Sequence, residues 1–485
     1  LGADYLDGGA GFDRAIYTNA GAAVNIQLAA GTATIGAVVD TLRSIEFARG
    51  TAFNDVYNGG GFGPASTPNG SSEGNNLNGF EGLGGNDQIT GNGNTRAEYT
   101  NAAAGVTVTF LTGNSGNVAG DISVGTDTLN NIFSVRGSQF DDLFVNAGTT
   151  NNTFDGQGGF DTVSYVNAGA AVNVDLQTGN ASGGGGNDVL RDNTGAVTIE
   201  SAIGSGFNDT FLASGNNRFD GGFGLDTLNM NNAVNNTVTA IGIETINGGA
   251  GNDNVTFVVN DGSVNQSING GGGANTLNLA GTTTNYSVTL NNFTLVNGHG
   301  GTVNDSLNVL NQVAGTTFDF GDGNADQLSV AGSTGVNVFT VNNIENVIGA
   351  LSTPDQIHIG GNSGGITTVT AGSGPDQIWA SADADHFRFT MTGDSSFDVP
   401  FAGQRDQIHD FDAGEDALVF DHIAGLDPAN FSWTEINFGG ADIVLVDIDG
   451  GGADLGGGSY AGYEMAIEMV DHTGTLTNAN FMLIV

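Results

Sequence analysis

Apolar residues recur at every second position in short runs, the period of a strand with one buried face. Three such runs align without gaps. Tyr17, Val24, Ile26, Leu28 and Gly31 match Tyr99, Val106, Val108, Phe110 and Gly113, and match again as Tyr165, Val172, Val174, Leu176 and Gly179. A turn follows at each glycine. The alternation persists into the middle of the chain, as in Tyr286-Ser287-Val288-Thr289-Leu290. Units repeated in this way bury their apolar faces by stacking, so the pattern predicts an all-β solenoid.

Two further units recur between the strand runs. Ile45-Glu46 leads to Gly50-Thr51-Ala52-Phe53-Asn54-Asp55, Ile132-Phe133 to Gly137-Ser138-Gln139-Phe140-Asp141-Asp142, and Ile199-Glu200 to Gly204-Ser205-Gly206-Phe207-Asn208-Asp209. Nine residues separate Glu46 from Asp55, Glu200 from Asp209 and Glu244 from Asp253. A period of nine with a carboxylate in phase reads as a coil period, too long for a helical turn. The other unit is rich in glycine: Gly8-Gly9-Ala10-Gly11-Phe12-Asp13, Gly82-Leu83-Gly84-Gly85-Asn86-Asp87, Gly156-Gln157-Gly158-Gly159-Phe160-Asp161, Gly221-Gly222-Phe223-Gly224-Leu225-Asp226 and Gly248-Gly249-Ala250-Gly251-Asn252-Asp253. Two positions beyond each Asp stands an apolar residue: Ala15, Ile89, Val163, Leu228 and Val255.

Composition narrows the chemistry. Acidic residues number 52 and basic ones 9, a formal net charge of −43. Every basic residue is Arg. Self-repulsion on this scale opposes compaction unless cations offset it, and it makes nucleic acid and anionic membranes poor partners. A hard divalent cation such as Ca²⁺, which takes carboxylate and carbonyl oxygens, is the natural one. Glycine is 82 of 485 residues, about twice the usual share. With no Cys, neither disulfides nor thiolate metal sites contribute. No apolar run approaches the ~18 residues of a membrane span.

The glycine unit matches G-G-x-G-x-D-x-U-x, the calcium-binding nonapeptide of the repeats-in-toxin (RTX) proteins, and the chain resembles that family. The physical logic agrees: glycines turn the chain and aim carbonyls inward, the Asp supplies a carboxylate, and the apolar residue starts a core-facing strand. Stacked turns would then place oxygens of neighbouring coils around one Ca²⁺, which takes 6–8 of them. On this reading the metal ligands come from Gly8, Ala10 and Asp13, from Gly82, Gly84 and Asp87, from Gly156, Gly158 and Asp161, and from Gly221, Phe223 and Asp226. Gly248, Ala250 and Asp253 form the cleanest copy, with Glu244 one coil earlier. Asp55, Asp142 and Asp209 join them from the other repeated unit. Asp376 and Asp385 restart the spacing of nine after a stretch where the glycine motif fades. The pattern also departs from the family's. Its copies are single rather than tandem, Asn152 and Asn217 stand at neighbouring positions in place of Asp, and Arg96 follows Asp87 by nine.

Three regions follow from these patterns: interrupted RTX-type β-roll modules over 1–255, divergent solenoid coils over 256–370, and a C-terminal cap over 371–485. Gly59 to Asn78 reads as a surface loop. Asp406-Gln407-Ile408-His409-Asp410-Phe411 resembles the capping segment of RTX proteins and serralysin-type proteases, which implies Asp406 and Asp410 as metal ligands. Leu476 to Val485 resembles that family's C-terminal type I secretion signal; a final buried edge strand reads equally from the same residues. Leu1 to Asp7 resembles the middle of a repeat, so the chain reads as a fragment. The six histidines (His299, His358, His386, His409, His422 and His472) include no H-E-x-x-H. Gly70-Ser71-Ser72-Glu73-Gly74 and Gly361-Asn362-Ser363-Gly364-Gly365 match G-x-S-x-G only as so many glycines make inevitable. The expectation is a secreted or cell-surface calcium-binding region, structural or adhesive rather than catalytic. Its partners are calcium, the type I secretion apparatus and cell-surface or matrix components. The alternative is the folding and export appendage of an exported hydrolase.

Overall fold

The computed structural model describes residues 2–67, 69–71, 73–258, 266–281, 285–299, 304–311, 313–321, 323, 325–351, 353–362, 365–372, 374–390, 406–421, 423, 426–438, 441–447 and 465–484. Ser72, Ser363 and His422 lie outside them, as does Val485. Two compact units emerge: 1–231 with 236–243, and 232–235 with 244–485. Apart from a short 3-10 turn at Asn478–Asn480, the regular structure of the described residues is all strand. No described helix is long and apolar enough to cross a membrane.

In the first unit the chain alternates between two parallel-rich sheets. One sheet takes Tyr5–Asp7, Val56–Asn58, Gln88–Thr90, Leu143–Asn146, Thr162–Ser164, Ser201–Ile203, Asn216–Asp220 and Thr237–Ile241. The other takes Arg14–Ile16, Phe47–Arg49, Asn78–Glu81, Thr95–Glu98, Ser134–Arg136, Thr153–Asp155, Thr210–Ala213 and Thr227–Met230. Many of these strands have three residues, enough to send one side chain inward. Tyr57, Ile89, Phe144 and Val163 come from the first sheet, and Ala48, Phe80, Phe154 and Phe211 from the second, all with 0–1% exposure. Rings from the two sheets meet between them: Tyr57 with Phe80 at 5.0 Å, Phe144 with Phe154 at 5.2 Å, and Phe211 with Phe219 at 5.2 Å.

The three aligned sequence runs are three antiparallel meanders inserted into this roll. Each splices into a sheet in reverse order. Val24–Gln27 pairs in parallel with the later strand Val56–Asn58, and Val38–Arg43 pairs in parallel with the earlier strand Tyr5–Asp7. Thr32–Ile35 runs antiparallel between them. Thr107–Thr112, Ser115–Ala119 and Thr126–Asn130 repeat the device. Val172–Asp175, Asn180–Gly183 and Asp188–Val189 do so on the other sheet.

The described residues of the second unit also form two parallel-rich sheets, although the glycine motif fades there. Asn254–Val258, Thr276–Ala280, Leu295–Asn297, Ala314–Asp319, Asn337–Asn342, Asp355–Gly361, Gln377–Trp379 and Gln407–His409 form one parallel series. Asp385–Phe389, Ala417–Asp421 and Phe481–Ile484 end the other. The first series closes with Met465–Val470 and the antiparallel strands Ala441–Asp447 and Ser432–Phe438. The tail expected to carry the export signal thus folds as the strand Phe481–Ile484, with Phe481 buried against Trp433 at 4.5 Å.

One glycine of each glycine-rich turn is fixed by coil-to-coil contact. Gly85 has φ +119, and a Cβ there would lie 2.6 Å from the carbonyl carbon of Phe53 in the preceding coil. Exposed Gly21 has neither constraint. Gly85→Ala is therefore expected to destabilise by about 1–3 kcal/mol while Gly21→Ala stays near neutral, as read from urea unfolding midpoints.

Candidate functional site

The aspartates of the repeated units, buried except for the half-buried Asp13, are turn residues that link one coil to the next. The Asp55 N–H donates to Asp87 Oδ1 at 2.7 Å, and the Asp87 N–H donates to Asp127 Oδ1 at 2.8 Å. Asp142 donates in the same way to Asp161, Asp161 to Glu200 and Asp209 to Asp226, all at 2.7–2.9 Å. Asp13 donates to Glu46 at 3.0 Å. In the second unit Asp253 donates to Asn275, and Asp305 to Asp326 and thence to Glu345. Asp355 donates to Asp376, Asp376 to Asp406, and Asp385 to Asp416. The linked residues are 17 apart at Asp209–Asp226 and 21 apart at Asp355–Asp376.

A coil is therefore two strands, and the spacing of nine is half of one. Glu46 precedes a strand of one sheet and Asp55 a strand of the other; Glu200 with Asp209 and Glu244 with Asp253 are divided in the same way. Glu46 and Glu200 instead accept the backbone N–H of the aspartate of a preceding coil, Asp13 and Asp161. Asp410 does not join the ladder. It is exposed, at φ 60, in the turn after Gln407–His409, and Asp416 takes the buried position.

The second carboxylate oxygen sorts the turns into two chemical kinds. At Asp55 the Thr51 N–H and hydroxyl, at 2.6 and 2.9 Å, fill what the Val24 N–H leaves. Ser138 clamps Asp142 and Ser205 clamps Asp209 by the same two groups. These carboxylates have protein donors on both oxygens. The glycine-rich turns lack that hydroxyl. Asp13 Oδ2 and Asp87 Oδ2 have no hydrogen-bond partner although they are buried, and the same holds for Asp326 Oδ2. Asp385 Oδ1 is also without one, although the Ser381 N–H and hydroxyl both reach the other oxygen of that carboxylate. A Cβ on Gly82 would overlap the Asp87 carboxylate, which is why a glycine stands five residues before that aspartate. Asp253 Oδ2 accepts the Gly249 N–H at 2.8 Å.

Charge accumulates along these rows. Burial, then the negative charge of Asp127, pushes the Asp87 carboxyl up to about 9. Burial raises Asp161 to about 8 and Asp127 and Asp416 to about 7. Asp326 and Asp385 rise to about 6, again by burial first. Such groups can be neutralised by protons or by a bound cation. Oxygen-only donors of this kind suit calcium.

Several rungs escaped the sequence reading. Asp40, Asp127 and Asp188 stand on the third strand of each meander and accept N–H groups from Asp4, Asp87 and Asn152. The last two also hold the repeated tyrosines: Tyr99 donates to Asp127 at 3.0 Å and Tyr165 to Asp188 at 2.8 Å. Asp305, Asp326 and Asp416 were missed as well. Their signal is Asp followed two residues later by a buried Leu (Leu307, Leu328, Leu418), with no glycine motif before it. His299 is a turn residue: its N–H and ring Nδ1 both meet Asp305.

No protein-family model matches the chain, and no curated protein matches it by sequence.

A carboxyl with a raised folded-state pKa contributes stability that is complete below the ordinary carboxylate range and lost as pH climbs through the raised value. In chelator, a thermal transition present at low pH should therefore move down and be lost as pH rises through about 6 to about 9, the range of Asp385, Asp326, Asp127, Asp161 and Asp87. Differential scanning calorimetry across that window checks it; a midpoint that rises would exclude an uncompensated carboxylate stack.

Proposed function

We propose that this chain is the calcium-binding, RTX-like region of a secreted or cell-surface protein, with a structural or adhesive role, and that it folds when it meets calcium outside the cell. The observation that carries this reading is the buried, donor-free carboxylate oxygen of the glycine-rich turns, represented by Asp87 between Asp55 and Asp127. An amide would serve the ladder equally well. Asn275 and Asn337 accept backbone N–H groups at 2.8 and 2.9 Å in the same role. What Asp adds over Asn is charge, and a buried charge without a counter-charge is a cost. A calcium ion turns that cost into a coordinate bond.

Export by a type I pathway, addressed by the tail from Leu476, belongs to the same reading. Before calcium binds, the carboxylates repel one another and favour an expanded chain suited to a narrow channel. Outside the cell, at roughly millimolar Ca²⁺, a site with Kd near 10⁻⁴ M contributes about 1.4 kcal/mol. Four such turns would add on the order of 6 kcal/mol, comparable with the whole stability of a domain.

Two experiments test this. Circular dichroism and small-angle scattering should show an expanded chain in chelator that compacts to β-structure in millimolar Ca²⁺ but not in equal Mg²⁺. A compact β-fold persisting in chelator would defeat the switch, and an equal Mg²⁺ response would reduce it to charge screening. Titration calorimetry should then show Asp87→Asn losing calcium stoichiometry. Asp55→Asn, whose carboxylate is already clamped by Thr51, should keep it.

A further inference from the structure

At the end of the second unit, three segments far apart in sequence bring a mixed donor set together. Asn437 and Asp442 are directly opposed on the antiparallel strands Ser432–Phe438 and Ala441–Asp447. Glu435, two residues from Asn437, shares that face because side chains alternate along a strand. His472 follows the adjoining strand Met465–Val470. Its neighbour Thr473 is pinned by an N–H to Phe411 O at 2.8 Å and by accepting the Ala413 N–H at 3.0 Å. One ligand atom from each of Glu435, Asp442 and His472 lies within 4.8 Å of the other two. His472 Nε2 is 3.4 Å from Glu435 Oε1. Asn437 Nδ2 donates to Asp442 Oδ1 at 2.7 Å and so orients that carboxylate. The imidazole is largely buried at 13% exposure, whereas Glu435 at 35% leaves one side open.

We propose that Glu435, Asp442 and His472 form a site for a borderline divalent cation of the zinc, nickel or cobalt kind, chemically separate from the calcium turns. Calcium and magnesium take oxygen donors, whereas neutral imidazole is a common ligand of transition metals. Ligands about 2.1 Å from a tetrahedral zinc stand about 3.4 Å apart, the separation His472 and Glu435 already have. Asp442 closes the triangle by a small side-chain rotation, and water takes the open position. The neighbouring indole supplies a reporter. Trp433 lies on the same strand face as Glu435 and stacks on Phe481 at 4.5 Å.

The test uses the full chain in millimolar Ca²⁺, titrated with Zn²⁺ alone by calorimetry. Ni²⁺ quenching is read in parallel in a Trp379→Phe chain, where Trp433 is the remaining one of the two tryptophans. One Zn²⁺ should bind despite the calcium. Its affinity should drop by at least about 10-fold, the lower end of what even an outer-shell change costs, in both His472→Ala and the Glu435→Gln/Asp442→Asn pair. Quenching of Trp433 should weaken in step. If His472→Ala alters the circular dichroism spectrum, the pair of carboxylate variants decides alone. No Zn²⁺ binding, displacement by Ca²⁺, or affinity equal to the parent in the variants that fold would each overturn the site and leave a surface ion pair.

Discussion

A carboxylate held in the turn of one coil accepts the backbone N–H of the matching residue in the coil before it, and the roll depends on that hydrogen bond. A parallel pair of three-residue strands satisfies few backbone groups by itself, and a buried N–H at a turn costs about as much as a lost hydrogen bond. Asp has the reach to close its own turn and still meet the coil before it, as Asp55 does with Thr51 and Val24. Glycine is then required where the carboxylate lies against the chain, as at Gly82, and where successive turns touch, as at Gly85.

The same bond explains how the meanders fit. An inserted antiparallel strand would break a coil-to-coil ladder unless its ends carried the right groups. Each meander begins with a valine whose N–H enters the ladder: Val24 to Asp55, Val106 to Asp142 and Val172 to Asp209, at 2.7–2.8 Å. Each ends with a strand that supplies its own acceptor, Asp40, Asp127 or Asp188. The insertion widens the sheet by three strands and hands the ladder on intact. The buried tyrosines Tyr99 and Tyr165 tie those acceptors to the core.

Much of this is legible in the residues. Alternation marks the strands, the gapless alignment marks the meanders, and glycine with aspartate marks the turns. What the spacing of nine conceals is that successive turns face opposite edges, because a two-strand coil carries two turns of similar chemistry. Glu244 therefore reads as a partner of Asp253 although the two begin strands of different sheets. The hydroxyl four residues before Asp55, Asp142 and Asp209 was visible as Thr51, Ser138 and Ser205. Its meaning is not, since only the fold shows that it joins the valine N–H on one carboxylate oxygen while the backbone N–H of the same residue fills the other. Rungs such as Asp326 and Asp416 keep the aspartate and its following leucine but only part of the glycine pattern, Gly321 and Gly323 before the first and Gly414 before the second, so the full motif that found the others passes over them.

Charge is where the fold and the proposed function meet. Three arginines of the first unit are held in ion pairs with buried carboxylates: Arg14 and Arg49 pair with Glu81, Arg14 also with Glu98, and Arg136 with Asp155 at 2.8 Å. These pairs lie on strands of the second sheet, away from the aspartate turns, so they neutralise carboxylates that the ladder does not use. In the interactions described for them, Asp55, Asp87 and Asp127 meet backbone N–H groups and hydroxyls and no arginine. A backbone dipole offsets part of a buried charge, and a row of three such as Asp55, Asp87 and Asp127 accumulates what is left over. In the folded chain Asp87 can hold a proton up to about pH 9 and Asp127 up to about pH 7. A divalent cation can take the place of those protons without loosening a rung, because the oxygen it needs is the one the ladder leaves without a donor at Asp87.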